Sequence, residues 1–169
     1  MLDSLIDYTA TDLLALLKKR DISGVELLEC CIQQYYDVNP SVNAVVETNF
    51  EESRKSFKKF DDDFSADDHT EPFLPLPVGV KDLNDVKGLK TTFGSPLFKD
   101  NVAKSDDDVV AQIKKASAVI FGKTNVPEHG FGATTTNPLQ GSTGNPFDKS
   151  LSAGASTGGG AAAVASGIV

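Results

Sequence analysis

The segment 152–160 holds the side chains of this chain that are best suited to nucleophilic or proton-transfer chemistry. Ser156 and Thr157 lie in the segment 154–160, in which four of the seven residues are glycine. Glycine disfavours regular structure but lets the backbone approach another group closely. The alanine-rich stretch that follows predicts a helix, whose free N–H groups would lie beside the two hydroxyls. The segment could therefore hold a nucleophile, an oxyanion or a phosphate.

The glycine pattern disfavours the phosphate alternative. A P-loop requires a lysine directly after its last glycine, and here Gly160 is followed by alanine. A dinucleotide-binding loop comes directly after a strand, whereas the residues before Ser152 are typical of turns. Acyl transfer or proton transfer remains the better interpretation.

Lys81 is a candidate general base, because it ends the short apolar run 75–82. Burial disfavours an ammonium group, so a buried lysine can be neutral and accept a proton. The alternative is that Lys81 is only the first surface residue after a strand. A histidine-based triad has little support, since His129 lies in a turn-rich segment and no GxSxG pattern occurs.

The apolar patterns predict an α/β domain with a mainly parallel or mixed sheet flanked by helices. Strands are predicted at 43–48, 75–82 and 118–123. Between the last two, Ser105–Asp108 is predicted to cap a helix that reaches Ala116. Residues 124–156 consist almost entirely of turn-forming residues, and a loop of that length is usually functional.

Two capping boxes predict helices near the N-terminus, at Thr9–Asp12 and Ser23–Glu26. The second helix is predicted to end near Asn39–Pro40, because proline disfavours the helical conformation in the residue before it. A polar helix is predicted at 51–60, followed by an exposed loop at 61–71.

The net charge of −8 excludes nucleic-acid binding by charge. Much of the acid is concentrated in three runs, which predict solvated loops and a helix start: Asp61–Asp63, Asp67–Asp68 and Asp106–Asp108. Consecutive aspartates cannot all face one ion, and no EF-hand, HExxH or CxxC spacing occurs, so neither a metal site nor a cofactor is predicted.

The sequence lacks a long apolar run and a signal peptide, so we expect a cytoplasmic protein with no membrane segment. Cys30 and Cys31 are neighbours in a predicted helix and point in different directions. A disulfide between them is therefore not expected.

Five segments, in this order, resemble the amidase signature family over nearly the whole chain. They are Gly79–Asp82, Gly88–Ser95, Gly122–Glu128, Asn145–Asp148 and Ser152–Ala165. The resemblance implies the amidase-signature fold and the hydrolysis of a small carboxylic amide to an acid and ammonia or an amine.

The resemblance also implies roles for four residues. Lys81 matches the lysine of a Ser–cis-Ser–Lys triad, and Ser156 matches the middle serine, which follows a cis peptide bond and relays the proton. Gly130 matches a segment that borders the acyl pocket, and Thr157 is assigned to substrate binding. The sequence departs from the usual Gly-Gly-Ser-Ser-Gly-Gly at Ala155 and Thr157.

The family's acylated serine lies downstream of this loop, in a Gly-Gly-Ser segment that residues 1–169 do not contain. We therefore expect 1–169 to be the N-terminal part of one amidase-signature domain, incomplete at its C-terminus and inactive alone. Self-association or a partner chain could supply the missing part. One alternative is the A subunit of glutamyl-tRNA(Gln) amidotransferase, although the segments Gly94–Asp100 and Asn125–Glu128 resemble stand-alone amidases more closely. The other alternative is a catalytically dead binding or structural remnant.

Overall fold

A three-stranded mixed sheet lies at the centre of the computed structural model, which describes residues 2–63 and 75–169. Its strands are β1 (Val45–Thr48), β2 (Pro77–Lys81) and β3 (Val119–Thr124), in the order β1–β3–β2. The central strand, β3, is antiparallel to β1 and parallel to β2. Every residue of β3 is buried, as an apolar strand covered on both faces should be.

Five α-helices flank this sheet in the part of the chain that the structure describes. They are α1 (Ala10–Lys19), α2 (Gly24–Val42), α3 (Phe50–Asp63), α4 (Asp108–Lys115) and α5 (Gly158–Ala165). Three short 3₁₀ turns lie at Leu2–Asp7, Pro96–Phe98 and Glu128–Gly130. The predicted mixed α/β architecture is confirmed, and none of the described helices is long and apolar enough to cross a membrane.

Two apolar clusters cover the two faces of the sheet. On one face Phe121 packs with Leu28 of α2 and Phe57 of α3, all fully buried, and α5 joins this cluster through its alanines. On the other face Val80 and Ile120 pack with α4. Phe121 and Ile120 are neighbours in β3, so their opposite orientations follow from the alternation of side chains along a strand.

The register between β2 and β3 shifts by one residue near the middle of the pair. Val78 pairs with Ile120, but Val80 pairs with Lys123, so β3 contributes one more residue than β2 over this interval. Such a bulge reverses the alternation of the strand that carries the extra residue. Ile120 and Lys123 therefore lie on the same face of the sheet, although they are three residues apart.

The predicted long loop contains regular structure. Residues 136–152 form two short antiparallel pairs, β4 (Thr136–Asn137) with β5 (Gly141–Ser142) and β6 (Gly144–Asn145) with β7 (Asp148–Ser152). Three of these strands have only two residues, which is too few to show the alternation of apolar and polar side chains. The segment was therefore predicted as a loop from its many turn-forming residues.

Helix ends differ from the predictions in two places. Helix α2 continues through Pro40 to Val42, because a proline in the last turn removes only one backbone hydrogen bond; the left-handed cap residue Asn43 ends the helix. Helix α3 includes the acidic run 61–63, which was predicted as loop. Both capping boxes are confirmed as helix starts, at Thr9 and Ser23. The remainder of the predicted loop, 64–71 with Asp67–Asp68, lies outside the described residues.

Helix α3 extends over this run because Asp61 has partners. Its carboxylate accepts hydrogen bonds from the N–H groups of Gly24 at 2.7 Å and Val25 at 2.9 Å, which are orphan donors of the first turn of α2. The end of one helix thus caps the beginning of another, and a negative charge lies at a helix N-terminus, where it is stabilising.

Candidate active site

Lys81 and Ser156 are in direct contact, although 75 residues separate them in sequence. Lys81 Nζ lies 2.8 Å from Ser156 Oγ and 3.0 Å from Thr157 Oγ1. Lys81 and Ser156 are half-buried, and Thr157 is exposed. The structure therefore brings together three of the four residues that the sequence assigned to the site.

The two sides of this contact come from rigid elements. Lys81 is the last residue of β2 and pairs with Thr124 of β3, and the N–H of Asp82 donates to the Thr124 carbonyl at 3.0 Å. Ser156 lies in the loop that leads into α5, and the Ala155–Ser156 peptide bond is cis. Since α5 packs on the face of the sheet opposite to Val80, the side chain of Lys81 meets the loop on that face.

Burial lowers the pKa of Lys81 below the usual 10.5 of a lysine. The partners that Nζ meets here are neutral hydroxyls, which leave this shift in place. A lysine with a lowered pKa is neutral more often, and in that form it can accept a proton from a hydroxyl. The arrangement can thus transfer a proton between Ser156 and Lys81.

A second lysine, Lys123, lies on the other face of the sheet and is fully buried. Its Nζ donates to Asp82 Oδ1 at 3.1 Å, to Thr91 Oγ1 at 2.9 Å and to the Lys90 carbonyl at 3.0 Å. Burial lowers the pKa of Lys123, and the Asp82 carboxylate opposes that effect. Asp82 in turn accepts hydrogen bonds from the N–H and the hydroxyl of Thr92.

Close packing fixes the glycines at the start of α5. A Cβ at Gly159 would overlap the backbone N and O of Asn125 and lie 2.8 Å from its Cα. Asn125 is itself buried, and its Nδ2 donates to Thr143 Oγ1 at 3.0 Å while its Oδ1 accepts from Asn137 Nδ2 at 2.8 Å. The helix that follows Ser156 therefore rests directly on the residue that follows β3.

The fourth predicted site residue, Gly130, packs against Leu83, two residues beyond Lys81. Its φ of +73° suits glycine, and a Cβ there would lie 2.6 Å from Leu83 Cδ1. The neighbouring His129 is exposed, and its ring stacks on Phe93 with centroids 6.5 Å apart. This placement makes His129 a loop residue in contact with aromatic side chains, as its turn-rich context indicated.

Sequence reasoning assigned no role to Lys123, Asp82 or Thr135, all of which are buried next to the site. One signal was present: Lys123 interrupts an otherwise apolar strand, and a lysine in such a strand requires a buried partner. Among the described residues, no group of three or more His, Cys, Asp or Glu side chains comes together as a metal site would require.

Comparisons with known proteins identify the family of this chain. The Amidase family model matches residues 26–169. An acylamidase of Rhodococcus erythropolis is 38% identical over 160 residues, which are 95% of this chain and 34% of that protein. The A subunit of the glutamyl-tRNA(Gln) amidotransferase of Geobacillus thermodenitrificans is 35% identical over 98% of this chain and 34% of its own length.

Among solved structures, 6-aminohexanoate cyclic dimer hydrolase complexed with substrate superposes with a TM-score of 0.87 and 32% identity. The superposition covers 97% of this chain and 33% of that one. The chain belongs to the amidase signature family, as the sequence motifs predicted. It spans about a third of the length of the relatives it matches.

Proposed function

We propose that this chain supplies the proton-transfer half of an amidase active site, with Lys81 as general base and Ser156 as the relay. The observation that carries the proposal is the 2.8 Å contact between Lys81 Nζ and Ser156 Oγ. The lowered pKa of Lys81 supports the role, because a general base must be available in its neutral form.

In the proposed reaction neutral Lys81 accepts the proton of the Ser156 hydroxyl as Ser156 accepts the proton of a nucleophilic serine. That serine attacks the carbonyl carbon of a carboxylic amide, and the proton returns through Ser156 to the departing ammonia or amine. Water then hydrolyses the acyl-enzyme, with the same two residues moving its proton. The steps use proton transfer and acyl transfer alone, so they need no cofactor or metal.

Thr157 and Gly130 are proposed to border the amide substrate. The Thr157 hydroxyl is exposed and lies 3.0 Å from Lys81 Nζ, so a group bound at the Lys81–Ser156 contact would meet it. Gly130 packs on Leu83, close in sequence to Lys81.

The nucleophilic serine and the oxyanion donors are proposed to come from the region that follows the matched part in the relatives. A continuation of the polypeptide or a partner chain could provide it. The test is to assay residues 1–169 alone and the same chain joined in frame to the remainder of the Rhodococcus acylamidase, on simple aliphatic and aromatic amides. We expect the joined protein to hydrolyse these amides and residues 1–169 by themselves to be inactive.

Lys81→Ala should abolish turnover of the joined protein, whereas Lys99→Ala, which changes an exposed lysine, should leave it unchanged. An active Lys81→Ala protein would show that Lys81 is not the general base. Turnover by residues 1–169 alone would overturn the proposal that the nucleophilic serine comes from outside these residues. If the joined protein folds but hydrolyses no amide, a catalytically dead remnant is the better description of this chain.

The A subunit of an amidotransferase is the second candidate, since a protein of that name is 35% identical over nearly the whole chain. The two candidates differ in what activity requires. A stand-alone amidase should hydrolyse simple amides without a partner, whereas the amidotransferase component should release ammonia from glutamine only together with its partner protein. To distinguish them, residues 1–169 are also joined to the remainder of the Geobacillus A subunit, and this protein is assayed on glutamine with and without the partner protein of that subunit.

A further inference from the structure

Thr135 is fully buried, and its hydroxyl is used both as a donor and as an acceptor. It donates to the Gly154 carbonyl at 2.7 Å and accepts from the Gly158 N–H at 3.1 Å. Ser156 lies midway between these glycines in sequence. One hydroxyl therefore joins the backbone two residues before Ser156 to the backbone two residues after it.

The packing around Thr135 fits this bridging role. A Cβ at Gly158 would overlap Thr135 Oγ1 and lie 2.9 Å from Thr135 Cβ, so the loop approaches Thr135 as closely as a glycine allows. Gly159, the next residue, rests on the backbone of Asn125 in the same way. The end of the loop is thus held between Thr135 on one side and the end of β3 on the other.

Thr135 is itself anchored by the short hairpins. Its carbonyl accepts the Thr143 N–H at 2.9 Å, and the Thr143 carbonyl accepts the Ala153 N–H at 3.1 Å. The Thr143 hydroxyl donates to the Asn43 carbonyl at 2.7 Å, which ties the hairpins to the end of α2. Thr135 is therefore also held by contacts outside residues 154–158.

We propose that Thr135 is a positioning residue that holds Ser156 within proton-transfer distance of Lys81. The inference rests on the proposed function for its catalytic consequence, but the bridge itself can be measured in residues 1–169 without any activity. Thr135 touches neither reacting atom, so its effect acts through the backbone of the loop.

The experiment compares Thr135→Val, which keeps the shape and removes the hydroxyl, with Thr135→Ser, which keeps the hydroxyl. Thr136→Val is the matched control, because Thr136 is adjacent and exposed and its hydroxyl contacts only Ser142 among the contacts described. Amide hydrogen exchange of residues 155–158 is measured together with trace acetylation of Lys81 against pH. Thr135→Val should speed the exchange at least tenfold and change the Lys81 labelling rate at least twofold.

Thr135→Ser and Thr136→Val should stay within twofold of the parent chain in both measurements. In the joined protein, Thr135→Val should lower kcat at least tenfold with KM within threefold, and Thr135→Ser should restore kcat. If the joined parent has no activity, the proposed function fails while the exchange and labelling results still decide whether the bridge exists.

A folded Thr135→Val chain with parental exchange and Lys81 labelling would overturn the proposal. If that chain lacks the parental far-ultraviolet circular dichroism spectrum, Thr135→Ala replaces it. Failure of both chains to fold, with Thr135→Ser folding normally, would also overturn the proposal, because Thr135 would then serve the stability of the whole fold rather than the position of Ser156.

Discussion

Asp82 accepts a hydrogen bond from Lys123 at 3.1 Å, and these side chains are 2% and 0% exposed. The remaining donors of the ammonium group go to Thr91 and the Lys90 carbonyl, and Thr92 donates to the carboxylate. A buried ion pair of this kind is fully hydrogen-bonded, so removing one partner leaves an uncompensated charge in the interior. The pair joins the end of β2, the following loop and β3.

Lys123→Met should destabilise the chain by about 3–5 kcal/mol, because Asp82 would remain buried without a counter-charge. Urea unfolding followed by circular dichroism measures the free energy of unfolding. Lys55→Met is the control, since Lys55 forms an exposed pair with Glu52, and its removal should change the unfolding midpoint little.

The double variant Asp82→Asn/Lys123→Met should be more stable than Lys123→Met, because both charges are then absent. The coupling between the two sites follows from the double-mutant cycle. If the destabilisation of the double variant equals the sum of those of Lys123→Met and Asp82→Asn, the two charges do not depend on each other.

The pH dependence of Lys81 reactivity should show a midpoint below 10.5. The neutral amine is the reactive form, so trace acetylation of Lys81 should rise at lower pH than that of an ordinary lysine. In Lys55 the hydrogen bond to Glu52 raises the pKa, so Lys55 should give a midpoint above 10.5 in the same peptide digest. Coinciding curves for the two lysines would contradict the prediction.

The lowered pKa of Lys81 also sets the sign of a stability change. Between its folded pKa and 10.5, Lys81 is neutral in the folded chain and protonated in the unfolded chain. The unfolded state then binds more protons, so the contribution of Lys81 to the free energy of unfolding increases with pH over that interval. Replacing Lys81 by methionine should remove this contribution from a urea-unfolding series run against pH.

Gly159→Ala should destabilise the chain by about 1–3 kcal/mol, because the added methyl overlaps the backbone of Asn125 and neither side can move freely. Gly160→Ala is the matched control, one residue further along α5. The nearest atom to its Cβ is Thr157 Cγ2 at 3.3 Å, on an exposed side chain that can adjust, and alanine favours helix. Thermal unfolding of both variants measures the difference, which should vanish if the contact with Asn125 is unimportant.

Asp61→Ala should cost about 1–2 kcal/mol, since two N–H groups at the start of α2 lose their acceptor and a favourable charge is removed. Asp62→Ala, next in the chain, removes an exposed side chain that pairs only with Lys58 among the described contacts, and should change stability little. The comparison uses urea unfolding at low and high salt. Equal effects for the two positions would show that Asp61 is not a cap.

The sequence predicted the three central strands, the helix starts and the pairing of Lys81 with Ser156. The helix starts follow from local capping patterns, and the two site residues follow from the family resemblance. The partner of Lys123 could not be predicted, because the face on which Lys123 lies depends on the register of β3 against β2, and these strands are about 40 residues apart in sequence. Thr135 gave no signal because its contacts, with Gly154 and Gly158, join distant turn-rich segments.

The one-residue register shift in the β2–β3 pair decides where two positive charges lie. With regular pairing from Val78 and Ile120 onward, Lys123 would stand opposite Lys81 on the same face, beside Ser156. Two ammonium groups would then compete for one hydroxyl. The extra residue in β3 turns Lys123 to the other side of the sheet, so the sheet separates the lysine that contacts the Ser156 hydroxyl from the lysine that is paired with Asp82.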